Sequence, residues 1–272
     1  MNLNPPLVIA SGPGGSGEYL SLINPKYVGA YTLKTITLNP KPGNKLKRME
    51  NSENYIINSI GLENPGIEYV ISNIEKFVLK ETKTILSLGG DSKDEYIKIA
   101  EKIAPYAKKF EAIEFNFSCP NVKKGGLSIL SDVNDWQEIL ENVRKILPDS
   151  FLIAKLSIEG NFVEVLSKKV KEFGWNGLTL INCVRGLLIK DGKIVMGGLS
   201  GPILKPIALR AIYEVRKVLK DIYIIASGGI YTKKDVDDFL LVGANAISIG
   251  SALFKDPQVV EELGKYLKGV ER

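Results

Sequence analysis

The sequence predicts an α/β chain folded as a (β/α)8 TIM barrel, with inserted loops and a hairpin at the catalytic mouth. Three observations carry that expectation. Short apolar, β-branched runs alternate with longer amphipathic stretches from end to end. Several of these runs are apolar on both faces, as strands covered by helices must be. Eight β-then-α units in about 250 residues match the size of such a barrel. A doubly wound open sheet is the competing architecture, but no GxGxxG follows the first run.

In order, the expected strands are Leu7–Ser11, Tyr27–Thr37, Thr84–Leu88, Ala112–Ser118, Phe151–Leu156, Gly177–Cys183, Tyr223–Ala226 and Ala246–Ile249. Asn39–Asn58 is polar and punctuated by Pro and Gly, and reads as a loop over the mouth. Asp91–Lys109 is strongly amphipathic, as a surface helix is. Asn161 with Glu164 has the spacing of a capping box, and Gly174 stands where a C-cap glycine belongs. Asp191-Gly192 between apolar flanks predicts a hairpin over Ile189–Val195, inserted after the sixth strand. Pro202 suits the first turn of a helix running to Lys220. Thr232 with Asp235 repeats the capping box, and Gly243 ends that helix. No shift in composition divides the chain, so residues 1–272 are expected to form a single domain.

Composition narrows the chemistry. Hydrophobic residues make up 44% and charged residues 25%, ordinary values for a globular protein able to bury a core. The net charge is +5, but the lysines are scattered, which argues against a nucleic-acid-binding tail. Histidine is absent, which excludes Ser-His-Asp triads and His-rich zinc sites, and no metal site is expected. A general base must then be Cys, Lys, Asp, Glu or Tyr. The two cysteines, Cys119 and Cys183, cannot hold an iron–sulfur cluster, which needs about four thiolates. The N-terminus has no signal-like segment and no apolar run approaches the ~20 residues that span a bilayer. A cytoplasmic chain without membrane association is expected.

In barrels of this kind, chemistry sits at the C-terminal ends of the strands. The polar residues there are Ser11, Lys34, Ser87, Asn116, Cys119, Lys155, Asn182, Cys183, Ser227 and Ser251. Asn116, Lys155 and Asn182 interrupt otherwise apolar strands. A buried lysine is costly unless it is paired or serves a site, the alternative being a side chain that snorkels out at the strand end. Gly228-Gly229 and Gly250-Ser251 follow the last two strands, where backbone amides can bind phosphate, although glycines also simply permit tight turns. Cys119, in the turn-like FNFSCPNVKKGG, suits a base or nucleophile; packing would also account for a cysteine there and for Cys183. NSIGLENPG, from Asn58, offers amides and carboxamides to a flat polar ligand. These residues point to a phosphate-binding barrel without naming its substrate.

The segments ASGPGG, LKTITLNPKPGN, NSIGLENPG, FNFSCPNVKKGG, AKLS, LINC, GGLSGPILKPIAL, ASGGI and IGSA, in this order and spacing, resemble the dihydroorotate dehydrogenase family over nearly the whole chain. The resemblance implies oxidation of dihydroorotate to orotate, with hydride transfer to FMN, in pyrimidine biosynthesis. It makes Cys119 the base that removes the C5 proton. Cysteine rather than serine at that position implies the soluble class. Lys34 is implied to touch both flavin and substrate, and Asn58, Ser59, Ile60, Gly61, Leu62, Asn116, Asn182 and Cys183 to line the orotate site. FMN contacts are implied for Ser11, Lys34, Thr35, Ser87, Asn116, Lys155, Ile181 and Gly201, with Gly228, Gly229, Gly250 and Ser251 on its phosphate.

SCPNVKKGG is most similar to NAD-linked members. These imply a homodimer within a heterotetramer, whose electron-transfer subunit carries FAD and an iron–sulfur cluster. Ser87 replaces a common asparagine, Cys183 a usual threonine or serine, and Ser251 a usual threonine. Three rival readings remain at this point: a flavin barrel acting on another pyrimidine or enone, a flavin-free lyase forming a Schiff base on Lys155, and a non-catalytic binding subunit of a complex, against which the crowding of polar residues argues.

Overall fold

The computed structural model describes residues 1–45, 48–118, 129–130 and 133–269. Its core is a ring of eight parallel strands: β1 (Leu7–Ile9), β2 (Ala30–Thr32), β6 (Lys83–Gly89), β7 (Ala112–Asn116), β8 (Leu152–Leu156), β9 (Gly177–Leu180), β12 (Tyr223–Ser227) and β13 (Ala246–Ile249). Consecutive strands pair around the ring, and pairing of β2 with both β1 and β6 closes it. The (β/α)8 barrel expected from the sequence is borne out.

Alternation along each strand sorts the side chains. Inward, Val8, Ala30, Ile85, Ala112, Ile153, Ile225 and Ala246 form an apolar plug at the N-terminal end of the barrel. Outward, residues such as Ile9, Leu86, Phe115, Leu152 and Leu178 pack against the surrounding helices. Both faces of each strand are therefore buried, which is why the strands read as continuous apolar runs.

Several expected elements differ in detail. Tyr27–Thr37 is not one strand. Pro25–Tyr27 is a 3-10 turn, and the ladder breaks between β2 and β3 (Ile36–Thr37). In that break the Lys34 amide donates to the Gly15 carbonyl at 2.7 Å instead of to a neighbouring strand, freeing Lys34 and Thr35 for the mouth. The first helix expected from Asp91 begins at Lys93, capped by Ser92, and gives way at Ala104 to a 3-10 segment that contains Pro105. The Asn161–Glu164 capping box does not form. Asn161 Oδ1 takes the amide of Phe162 at 2.7 Å, and the helix Val163–Glu172 starts without a side-chain cap. Pro202 opens a 3-10 turn, and the α-helix runs over Lys205–Val218. The Thr232–Asp235 capping box forms as expected.

The stretch Asn39–Asn58 is not simply a loop. It holds β4 (Met49–Asn51) and β5 (Ile56–Asn58), which join β10 (Val184–Lys190) and β11 (Lys193–Ser200) in a four-stranded antiparallel sheet. Among the described residues β4 pairs only with β5, and β5 is anchored on β11, more than a hundred positions away, so local polarity hides the pair. The inserted hairpin is present but longer than expected. Its ladder runs from Val184 opposite Leu199 to Lys190 opposite Lys193, turning through Asp191 and Gly192 with φ of 50° and 70°. Among the described residues, no helix is long and apolar enough to cross a membrane.

Candidate active site

The C-terminal ends of the barrel strands and the second sheet enclose a cavity of about 390 Å³, within the range of small-molecule sites. Ser11, Thr35, Asn116, Lys155 and Ile181 form its barrel side. Gly228, Gly229, Gly250 and Ser251 form one rim, with Gly201 beside them. Lys34, Asn58, Ile60, Gly61, Leu62, Asn182 and Cys183 form the outer wall. Residues far apart in sequence thus meet because their strands end at one face. Cys119 lies outside the described residues.

Lys155 is 6% exposed and lies on β8 between Asn116 of β7 and Thr179 of β9. Among the described residues its ammonium has no carboxylate or hydrogen-bond acceptor within bonding distance. It does not snorkel out to solvent; what it faces is the cavity. A buried cation without a protein counter-charge is unfavourable until a polar or anionic ligand supplies one. Lys34, on the opposite wall, is half-buried. Burial holds its pKa below the usual lysine range, and the nearby Glu63 partly offsets this. Glu63 is itself paired with Arg48.

The carboxamides are pinned. Asn116 Oδ1 accepts from the Ser118 amide at 3.2 Å, which turns its Nδ2 towards Thr35 Oγ1 at 3.3 Å. Asn182 Nδ2 donates to the Ser118 carbonyl at 2.9 Å, and Asn58 Nδ2 to the Gly198 carbonyl at 3.2 Å. Such bonds fix the orientation of each group before any ligand arrives.

At the glycine rim, Gly228 and Gly229 have φ of 119° and 77°. A Cβ on Gly229 would sit 2.6 Å from the Lys205 amide nitrogen, so backbone approach there requires glycine. Among the described residues no backbone acceptor is recorded for the N–H groups of Gly228, Gly229 or Ser251. The Ser251 hydroxyl is held by Tyr231 at 2.9 Å. Backbone amides at Gly228 and Gly229, ahead of the helix Lys233–Leu241 and on the cavity lining, suit a phosphate. The donor set as a whole fits a ligand with a phosphate at one end and a flat polar ring at the other. Among the described residues, no group of three or more His, Cys, Asp or Glu side chains could hold a metal.

Two expected site residues do not reach the lining. Ser87 is fully buried below it, its short side chain bound to Thr35 Oγ1 and Glu114 Oε1, each at 3.0 Å. Ser59 is held by Asn44 Nδ2 at 2.9 Å. Conversely, Glu114 was not singled out from the sequence. It stands in the barrel interior at 2% exposure, accepting from Ser87 and from Thr179 Oγ1 at 2.7 Å. A carboxylate between Ile113 and Phe115 in a strand buried on both faces carries the same desolvation signal as Lys155, and that signal could have found it. Pro13, Leu204 and Phe254 also line the cavity, but apolar side chains in loops and short turns announce nothing.

A family model described as dihydroorotate dehydrogenase matches residues 1–270. The chain belongs to the dihydroorotate dehydrogenase family. The expectation drawn from the motifs is borne out, and with it an oxidoreductase of dihydroorotate in pyrimidine biosynthesis. The family is flavin-dependent. Among relatives, the dihydroorotate dehydrogenase B (NAD(+)) catalytic subunit of Thermotoga maritima is 55% identical over 272 residues, covering 100% of both chains. The protein of the same name from Brachyspira hyodysenteriae is 38% identical, covering 96% of this chain and 89% of its own. Among solved structures, DHODH from Eimeria tenella in complex with ferulenol superposes with a TM-score of 0.83 at 20% identity, covering 97% of this chain and 81% of that one. The ligand-free form from the same organism gives 0.80. At that identity the likeness concerns the fold.

Proposed function

We propose that this dihydroorotate dehydrogenase family member is the catalytic subunit of an NAD-linked enzyme, with FMN and dihydroorotate sharing the cavity at the barrel mouth. The observation that carries the placement is the buried Lys155, without a counter-charge among the described residues, in a cavity also lined by Gly228, Gly229 and Gly250. FMN, when bound, supplies the hydride acceptor. Gly228, Gly229, Gly250 and Ser251 hold its phosphate, and Ser11, Thr35, Asn116, Ile181 and Gly201 its remaining polar groups, with Ser87 acting from beneath. Lys155 offsets negative charge on the ring side of the cavity. Lys34 receives the substrate carboxylate, while Asn58, Ile60, Gly61, Leu62, Asn116, Asn182 and Cys183 match the flat donor–acceptor edge of orotate, with Ser59 held behind them by Asn44. Cys119 takes the C5 proton. In a chain without histidine, it follows β7 at the strand end where a barrel places its chemistry.

The whole chain serves as one FMN domain in the cytoplasm. Relatives named catalytic subunits support a second, electron-transfer subunit, carrying FAD and an iron–sulfur cluster and joined to a homodimer of this chain in a heterotetramer. The two cysteines here are too few to ligate such a cluster.

An anaerobic absorbance spectrum of the purified chain, before and after dihydroorotate, tests this reading. Bleaching of the oxidised flavin band supports it. An intact band that does not bleach defeats the substrate placement, and failure to take up FMN on reconstitution defeats the cavity assignment. Cys119→Ala is expected to retain FMN and to lose about 10²–10⁴-fold in the rate of bleaching, the usual contribution of a general base. A wild-type rate removes Cys119 from the chemistry.

A further inference from the structure

Below the cavity, four hydroxyls and one carboxylate form a connected chain. Ser11 Oγ lies 3.2 Å from Thr35 Oγ1, Thr35 Oγ1 lies 3.0 Å from Ser87 Oγ, and Ser87 Oγ lies 3.0 Å from Glu114 Oε1. Thr179 Oγ1 reaches the second carboxylate oxygen, Glu114 Oε2, at 2.7 Å. Distances alone leave open which hydroxyl donates to which.

Proton counting removes the ambiguity. Each hydroxyl has one hydrogen, and an ionised carboxylate only accepts. Ser87 must therefore give its hydrogen to Glu114. The Thr35–Ser87 contact then needs the Thr35 hydrogen, and the Ser11–Thr35 contact needs the Ser11 hydrogen. Thr35 Oγ1 ends with one donated and two accepted bonds, the second accepted bond coming from Asn116 Nδ2 at 3.3 Å. That Asn116 orientation is secured by the Ser118 amide on Oδ1, so Thr35 is saturated. Ser11 is left with lone pairs only.

A protonated Glu114 would donate to Ser87 instead, and every hydroxyl in the chain would turn over, aiming the Ser11 hydrogen at the cavity. The contacts point to the acceptor-only carboxylate, because a hydroxyl meets each of its oxygens, Ser87 Oγ on Oε1 and Thr179 Oγ1 on Oε2. We propose that Glu114 is a positioning residue whose carboxylate fixes the direction of the Ser11–Thr35–Ser87 chain, so that Ser11 meets the ligand as an acceptor and selects an N–H or O–H donor. The inference rests on the reading of the cavity as the FMN site.

A double-mutant cycle on the dissociation constant of FMN, read by flavin fluorescence quenching on the deflavinated full chain, tests this. Ser11→Ala and Glu114→Gln are each expected to weaken FMN about three- to tenfold, the worth of one hydrogen bond. The double variant should be no weaker than either single one, since both remove the same acceptor. Effects that multiply, or an unchanged affinity in Ser87→Ala, which unlike Glu114→Gln leaves the Thr35 hydrogen no acceptor on that side, overturn the proposal. If Glu114→Gln does not fold, Ser87→Ala replaces it in the cycle, because it cuts the chain between Thr35 and the carboxylate, and the same two outcomes decide. The infrared difference spectrum of wild type minus Glu114→Gln at neutral pH should contain the carboxylate band; a protonated-acid carbonyl band there overturns the proposal. Wild-type protein that binds no FMN defeats the cavity assignment instead, which separates the two failures.

Discussion

The two ends of the same barrel strands do different work. On six strands, an inward apolar residue is followed two positions later by an inward polar one: Ala30 and Thr32, Ile85 and Ser87, Ala112 and Glu114, Ile153 and Lys155, Ile225 and Ser227, Ala246 and Ser248. Two residues of strand rise separate them, roughly 7 Å. The lower layer excludes water and holds the ring together. In the upper layer Ser87 and Glu114 are bonded to each other, while Lys155, Ser227 and Ser248 line the cavity. Stability and binding are thereby divided along one strand rather than between domains.

Substitutions can break or sharpen that division. The largest expected effect is at the lower end. Ile153→Ala, at a fully buried position, should cost about 2–5 kcal/mol in urea unfolding, while the folded fraction keeps its FMN affinity within about threefold. A large loss of affinity would mean the two layers are mechanically coupled. Two residues on, Lys155→Met should do the reverse. The ligand-free chain should melt at the same or a higher temperature, because a buried charge with no counter-charge among the described residues is gone, while flavin reduction slows about 10²–10³-fold. A clear drop in melting temperature without a kinetic defect would make Lys155 structural.

The glycine rim should fall between these extremes. Gly229→Ala must adopt a left-handed φ and displace the Lys205 backbone, so both stability and FMN affinity should drop, the former by about 1–2 kcal/mol. A neutral result by calorimetry and flavin titration would show that the rim adapts. The smallest expected effect concerns pH. Burial lowers the pKa of Lys34 in the free chain, and a bound carboxylate raises it again. Orotate affinity should therefore be full below the lowered free value and decline severalfold as pH rises from it towards the value in the complex, by about 1 kcal/mol for a half-exposed pair. A Lys34→Met variant should bind weakly at every pH; a wild-type-like decline in that variant would assign the titration elsewhere.

How far the sequence could be read depended on whether a residue's role was local. Lys155 and Asn116 were visible because a polar group inside a double-sided apolar strand is costly wherever the chain goes. Glu114 gave the same signal in the same strand and passed unremarked beside Asn116. Ser87 and Ser59 carried a signal of position only. Their hydroxyls were committed by partners elsewhere in the chain, Glu114 on β7 for one and Asn44 in a loop for the other, so sequence placed them at the site while packing turned them away from its lining.

By itself the sequence determined the repeating strands, the Asp191-Gly192 hairpin, the glycines of the late loops and the absence of histidine, since each follows from local sterics or from composition. Tertiary structure alone decided that Asn39–Asn58 contributes two strands, that the ladder breaks to release Lys34 and Thr35, and that four hydroxyls line up on one buried carboxylate. Those features depend on hydrogen bonds between distant segments, and a donor's partner is set by where the closed barrel brings it, not by its neighbours in the chain.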